Sequence, residues 1–224
     1  MTIEMYHAGM EKDSRPIFSD VSFLADPGER VALFGTPPVA PSLALQALLG
    51  VRKLDSGWAC IDGEPLIPPQ AAYFRRYISY LPQSIGFGNM TVEDVACLLY
   101  GEKANSGNAY SRENLTNQLD SVGVSGECAC KPFAALDAAT AQRAAIAVTF
   151  MLNRPVALLD NPTSMQDDRG RALVAEYLAS RHFADTAMVV ATADPAVLEI
   201  CGKAVRFGVD DGQQNIKNKN FLDR

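Results

Sequence analysis

The sequence is poor in the residues from which proteins build metal centres and disulfide frameworks. It contains 2 histidines and 5 cysteines among 224 residues. An odd number of scattered cysteines predicts free thiols rather than a disulfide scaffold. Cys128 and Cys130 are separated by one residue, whereas a C-x-x-C motif needs two. We therefore expect no metal centre built from histidine and cysteine.

An excess of positive charge and long apolar segments are also absent. The formal net charge of −6 argues against nucleic acid as a partner. No apolar run approaches the roughly 20 residues that span a bilayer, and residues 1–4 do not resemble a signal peptide. We expect no direct membrane insertion, so any role at a membrane would need another subunit. The 48% of hydrophobic residues is ample for the core of one large domain.

The most informative absence is that of one lysine. Residues 31–43 read as an apolar strand, a tight loop and a helix start, which is the layout of a phosphate-binding loop, G-x-x-x-x-G-K-[S/T]. Gly35 stands at the first glycine and Ser42 at the final hydroxyl. Ala40 replaces the second glycine, and Pro41 replaces the lysine whose ammonium would contact the phosphates.

Three prolines remove further contacts from this loop. Pro37, Pro38 and Pro41 carry no backbone N–H, and such a loop holds phosphates through successive N–H groups. Ala40 has a Cβ and resists the positive φ that glycine adopts. Pro41 suits the first turn of a helix. The loop therefore predicts that the helix is kept and the anion site is lost, although an ordinary proline-rich connection would read the same way.

The pattern of apolar residues predicts an α/β protein with a helical insertion. We expect a discontinuous core of residues 1–82 and 153–207, a helical subdomain at 83–152 and a solvated polar tail at 208–224. Residues 101–110 read as a polar loop. The predicted strands are 17–24, 31–34, 58–61, 77–81, 155–160, 187–191 and 204–207, and the predicted helices are 42–49, 92–100, 112–121, 138–151, 169–180 and 195–200.

Further short motifs follow the loop in a fixed order. Residues 80–83 read Tyr-Leu-Pro-Gln, residues 136–143 read Leu-Asp-Ala-Ala-Thr-Ala-Gln-Arg, residues 159–164 read Leu-Asp-Asn-Pro-Thr-Ser, and residues 190–194 read Val-Ala-Thr-Ala-Asp. In order and spacing they resemble the Q-loop, signature, Walker B and switch motifs of the ABC ATPase family, from about residue 3 to 207. The resemblance implies a P-loop NTPase-like cassette with a mixed β-sheet core flanked by helices, and ATP and Mg²⁺ as cofactors.

The sequence departs from the family at the catalytic positions. The lysine, the glutamate that activates water and the switch histidine correspond to Pro41, Asn161 and Ala193. An amide cannot accept a proton at neutral pH, so general-base help is lost at Asn161.

Four positions of the family's nucleotide site survive. The resemblance implies residual ATP and Mg²⁺ positions at Gly35, Ser42, Gln83 and Asp160, with Mg²⁺ held by Ser42 and Asp160. Alternatively, Ser42 is simply a first-turn residue and Asp160 bonds a neighbouring backbone group.

The signature segment has also changed. Its positions are Leu136, Asp137, Ala138, Ala139 and Thr140, where the family has a serine and two glycines at the second to fourth. In the family, each cassette presents its signature to the ATP of a second cassette. Two unit charges about 4 Å apart repel by roughly 4 kcal/mol at an effective dielectric constant near 20, so a carboxylate at 137 would oppose the γ-phosphate. Asp137 is equally suited to be the N-cap of the next helix.

These residues favour a degenerate cassette that acts as a structural or regulatory subunit. The resemblance implies a cytoplasmic chain, peripheral on the inner face of the membrane, that pairs with a membrane permease or a second cassette. Gln83, Ile85 and Phe87 would dock the permease, on a segment expected to expose its apolar side chains. The alternatives are an active transporter ATPase with atypical motifs and a soluble P-loop-fold protein that binds another ligand. A different enzyme built on Asp160 and nearby carboxylates lacks a recognisable nucleophile.

Overall fold

The computed structural model describes residues 1–105 and 107–208. The predicted tail lies outside the described residues from 209 onward. Nine strands and seven α-helices are found in the described part of the chain. The strands are β1 Ile3–Lys12, β2 Arg15–Ala25, β3 Arg30–Gly35, β4 Ser56–Ile61, β5 Glu64–Pro65, β6 Ile78–Leu81, β7 Val156–Asp160, β8 Ala187–Ala191 and β9 Lys203–Phe207. The helices are α1 Ala40–Leu48, α2 Pro68–Phe74, α3 Val92–Gly101, α4 Arg112–Ser121, α5 Ala138–Phe150, α6 Asp168–Ala179 and α7 Pro195–Ile200.

The strands form two sheets of different kinds. One is antiparallel, in the order β2-β1-β4-β5, and the other is parallel, in the order β6-β7-β8-β3-β9. The central strands of the parallel sheet, β7 and β8, are buried at every residue, as expected when both faces of a sheet are covered. The prediction of an α/β fold with parallel and antiparallel strands is confirmed.

The two faces of the parallel sheet pack against different layers. Val31, Leu158 and Val189 face a core shared with α1 and the antiparallel sheet. Ala157 and Val190 face a second core that continues into α3, α4 and α5. The predicted insertion therefore shares its core with the sheet, although its boundaries at 83 and 152 remain a prediction.

Local capping explains where the helices of the insertion begin. Thr91 and Asp94 form a reciprocal capping box at the start of α3, which satisfies two backbone N–H groups that a helix start leaves unpaired. Asp137 accepts a hydrogen bond from the Thr140 N–H at 2.9 Å and caps α5. The N-cap at Asp137 was one of the expectations from the sequence. No helix among residues 1–105 and 107–208 is long and apolar enough to cross a membrane.

Several elements differ from the sequence expectations. Strand β1, the short strand β5 and helix α2 were missed. Helix α1 begins at Ala40, two residues earlier than expected, with Pro41 in its first turn. The predicted polar loop at 101–110 contains a turn of 3₁₀ helix at Lys103–Asn105. Its last residue, Asn105, is only 4% exposed. The Asn105 side chain donates to the carbonyl of Leu99 and accepts from Arg154.

Candidate functional site

A cleft of about 730 Å³ lies where the carboxyl ends of β3, β6, β7 and β8 meet. In parallel sheets this edge is where ligands bind. The structure brings the predicted nucleotide-site positions of the chain together in this cleft. They are Gly35, Pro41, Ser42, Gln83, Asp160, Asn161 and Ala193.

Gly35 closes β3 in a conformation that other residues avoid. Its φ is 130°, and a Cβ at this position would lie 2.1 Å from the carbonyl oxygen of Phe207. The N–H of the next residue, Thr36, donates to that same oxygen at 3.0 Å. The glycine is therefore required because β9 approaches the start of the loop so closely.

The segment from Thr36 to Leu43, which is the loop after β3 and the first turn of α1, has few free N–H groups. Three of its eight residues are prolines and have no N–H. The Thr36 N–H is bonded as described, the Ala40 N–H donates to the carbonyl of Pro37 at 2.9 Å, and the Leu43 N–H donates to that of Val39 at 3.0 Å. These bonds leave Val39 and Ser42 as the residues whose N–H groups have no bond within the described chain. A phosphate cradle needs several convergent N–H groups.

Ser42 and Asp160 meet across the cleft. The Ser42 hydroxyl donates to Asp160 Oδ1 at 2.8 Å, and the Asn161 side-chain amide donates to the same oxygen at 3.1 Å. Burial raises the pKa of Asp160, and the two hydrogen bonds oppose that shift. Asp160 therefore accepts from two side chains at the strand end, rather than from a neighbouring backbone group, which was the alternative expectation.

The electrostatics of the cleft are unfavourable for an anion. Among the described residues that line it, Asp160 alone has a charged side chain. Burial and the Asp160 carboxylate raise the pKa of Tyr80, so the neighbouring phenol stays neutral. The part of the chain that the structure describes thus offers no lysine, arginine or histidine to this cleft.

A buried pair of glutamines, missed in the sequence analysis, holds the loop that carries Asn161. Gln142 of α5 donates to the Asn161 carbonyl at 3.1 Å and to the Ser164 hydroxyl at 3.0 Å. Its side-chain oxygen accepts from the Met165 N–H and from Gln166. Gln142 lies within the quoted signature segment, but the sequence carries no signal that Gln166 is buried.

The signature residues lie at the start of α5. Asp137 and Ala138 are exposed, whereas Leu136, Ala139 and Thr140 are half-buried. The Thr140 hydrogen bonds lower the pKa of Asp137, so it is a carboxylate at neutral pH. The expected cap is confirmed, and its negative charge remains on the surface.

The predicted docking segment is less exposed than expected. Gln83 is exposed, but Ile85 and Phe87 are half-buried and pack against the core of the insertion. The ring of Phe87 lies 4.8 Å from that of Phe133, centroid to centroid. The side chains at 85 and 87 are therefore only partly exposed, because both pack against this core.

Comparisons with known proteins agree with the fold. The sequence profile of the ABC transporter family matches residues 18–164. The cytochrome c biogenesis ATP-binding export protein CcmA of Rhodopseudomonas palustris is 31% identical over 88% of this chain and 93% of its own length. The energy-coupling factor transporter ATP-binding protein EcfA2 of Methanospirillum hungatei is 28% identical over 80% of this chain.

The chain covers different fractions of the lengths of these two relatives. It spans 46% of the length of the energy-coupling factor protein. A solved ATP binding subunit of an ABC transporter matches with a TM-score of 0.82 over 98% of this chain and 91% of that one, at 19% identity. That likeness shows the fold, and the match of the family profile to well over half of the chain shows the family. The chain belongs to the ABC transporter ATP-binding cassette family.

Proposed function

We propose that this chain is a degenerate ATP-binding cassette that does not hydrolyse ATP and acts as a structural or regulatory subunit. Its partner is a membrane permease, a second cassette, or both, and it lies on the cytoplasmic side of the membrane through that partner. The observation that carries the proposal is the cleft, whose only charged lining residue in the described chain is Asp160.

Three losses support the absence of hydrolysis. The loop has lost its lysine to Pro41, and the N–H groups of Thr36 and Ala40 already have backbone partners. Asn161 cannot act as a general base, and its amide is bonded to Asp160. The side chain of Ala193 has no polar group with which to contact a γ-phosphate.

The residues fit one cofactor of the family better than the other. Ser42, Asp160 and Gln83 line the cleft and offer the oxygen ligands that Mg²⁺ prefers. A triphosphate, which would supply further ligands to such an ion, finds neither a cation nor a cradle of N–H groups. The residues present therefore do not fit Mg-ATP, and no catalytic step is assigned to them.

The relatives support a partner in a transport system. Their names describe ATP-binding proteins of an exporter and of an energy-coupling factor transporter. The surface for a permease would include the exposed Gln83. The half-buried Ile85 and Phe87 would hold this segment against the core of the insertion. A second cassette would meet the exposed Asp137.

Calorimetric titration with Mg-ATP tests the proposal. We expect no binding heat from the unmodified chain up to about 1 mM ATP, which corresponds to a binding free energy weaker than about −4 kcal/mol. The matched variant Ala40→Gly/Pro41→Lys restores the glycine and the lysine. Binding by this variant alone would locate the defect in the loop.

Micromolar binding to the unmodified chain would overturn the proposal. Turnover of bound ATP would then favour the second candidate, an active ATPase with atypical motifs. Circular dichroism of both proteins is needed because Pro41 is buried, so a lysine there must be shown not to unfold α1.

A further inference from the structure

A second cavity lies at the opposite edge of the parallel sheet. It has a volume of about 210 Å³ and is found where β6 and β7 begin. Its lining is basic and rich in amides, in contrast to the nucleotide-site cleft. The residues that matter for the argument are Arg76, Asn105, Asn108, Asn153 and Arg154.

Arg154 is half-buried beside this cavity and is bonded only to neutral groups. Its Nη1 donates to the carbonyls of Arg75 at 3.1 Å and Ile78 at 2.6 Å, and its Nη2 donates to Asn105 Oδ1 at 2.8 Å. Within the described residues, no carboxylate lies within 4.0 Å of this guanidinium. Burial lowers the pKa of Arg154, which reflects a cation that has lost water without gaining a counter-charge.

The orientation of Arg154 is fixed by a buried amide. Asn105 donates through Nδ2 to the carbonyl of Leu99 at 2.6 Å, so its Oδ1 is turned toward the guanidinium. These contacts use three of the five N–H groups that an arginine carries. Two N–H groups of Arg154 therefore have no acceptor among the described residues.

Arg76 supplies a second cation on the exposed side of the cavity. Its guanidinium carbon lies 4.7 Å from the centroid of the Tyr73 ring, a stacking contact that limits its freedom. Two arginines that line one open cavity can recognise phosphate oxygens, through charge and paired N–H groups. This local excess of positive charge occurs in a chain whose net charge is −6.

We propose that the cavity lined by Arg76 and Arg154 is a binding site for a phosphate group. The group comes either from a small phosphorylated solute or from the headgroup of an anionic lipid. The site lies at the edge of the sheet remote from Ser42 and Asp160, so it is independent of the nucleotide-site cleft.

Titration of the full chain with inorganic phosphate, followed by calorimetry, tests the proposal. We expect saturable binding with a Kd in the millimolar range. Arg76→Gln should raise this Kd about tenfold, since a hydrogen bond to a charged group contributes about a factor of ten or more to affinity. The matched control is Arg75→Gln. It removes one positive charge from the neighbouring residue, whose side chain does not line the cavity. Its affinity should change by less than about twofold. Arg154 is left unchanged because its bonds to two carbonyls make it structural.

Sedimentation with vesicles identifies the source of the phosphate. A lipid headgroup would be supported if the chain binds vesicles of phosphatidylglycerol but not vesicles of phosphatidylcholine. This binding should be lost in Arg76→Gln and kept in Arg75→Gln. Binding of free phosphate without vesicle binding would support a solute. The proposal is overturned if neither probe binds, or if Arg75→Gln weakens binding as much as Arg76→Gln.

Discussion

The contact between Gln142 and Gln166 is open to a quantitative test by a double-mutant cycle. Gln142 is 2% exposed and Gln166 is 5% exposed, and Gln166 Nε2 lies 3.0 Å from Gln142 Oε1. Gln166 also donates to the carbonyl of Ala139 at 3.0 Å. Through this pair, α5 is joined to the loop between β7 and α6. The perturbation is leucine at each position, which keeps the approximate volume and removes the amide.

The magnitudes follow from what each change leaves unpaired. Gln142→Leu removes four hydrogen bonds and leaves the Met165 N–H without its acceptor, so we expect a loss of about 2–4 kcal/mol in the free energy of unfolding. Gln166→Leu removes two, and the Met165 N–H keeps Gln142, so the loss should be about 1–2 kcal/mol. In the double variant no glutamine is left with a missing partner. Its loss should therefore be smaller than the sum of the single losses by about 1 kcal/mol.

Urea denaturation followed by circular dichroism measures all four corners of this cycle. In a domain of this size, 1 kcal/mol corresponds to about 2–4 °C in Tm, so thermal unfolding gives a second reading. Additivity within about 0.3 kcal/mol would refute the reasoning. It would mean that the 3.0 Å contact between the two side chains contributes nothing of its own to the link between α5 and the Asn161 loop.

Two further predictions concern the carboxylates of Asp160, at the end of β7, and Asp137, at the start of α5. Burial raises the pKa of Asp160, so the folded state binds a proton at this carboxyl more tightly than the unfolded state does. The free energy of unfolding therefore falls as pH rises from the ordinary Asp pKa through the raised pKa of the folded state. Asp160→Asn should remove this slope and be neutral or stabilising at pH 7, as measured by urea denaturation across the acidic range; an unchanged slope would contradict the assignment. Asp137→Ala should cost about 1 kcal/mol through the lost N-cap, whereas Asp137→Ser should cost little. Equal losses in both variants would show that the cap is not the cause.

The nucleotide-site cleft could be predicted from the sequence because its residues belong to motifs of fixed order. Gly35 and Asp160 end strands, and Ser42 and Ala193 come shortly after strands; each of these strands was recognised as a short apolar run. Since parallel strands end at the same edge of the sheet, the order of the motifs already implied that these residues meet. The loss of the lysine was visible as a proline in the printed sequence.

Other features had no signal in the pattern of residues. Strand β1 was missed because its pairing shifts between Met5 and Ala8, and His7 there has a φ of 46°. The alternation of period two is interrupted at that point, so the segment does not read as a strand. The burial of Gln166 and Asn105 depends on which distant groups pack against them, and glutamine and asparagine usually lie at the surface.

The persistence of the fold beside the altered site has a physical explanation. A phosphate-binding loop must keep several N–H groups unpaired until its ligand arrives, and each such group is a cost to the ligand-free protein. Here, prolines at 37, 38 and 41 remove three of those groups, and the Thr36 and Ala40 groups are bonded within the chain. Asp160 is supplied with donors by Ser42 and Asn161. The substitutions that remove phosphate contacts therefore also leave fewer N–H groups of the loop unpaired, which agrees with the proposal that this chain acts without hydrolysing ATP.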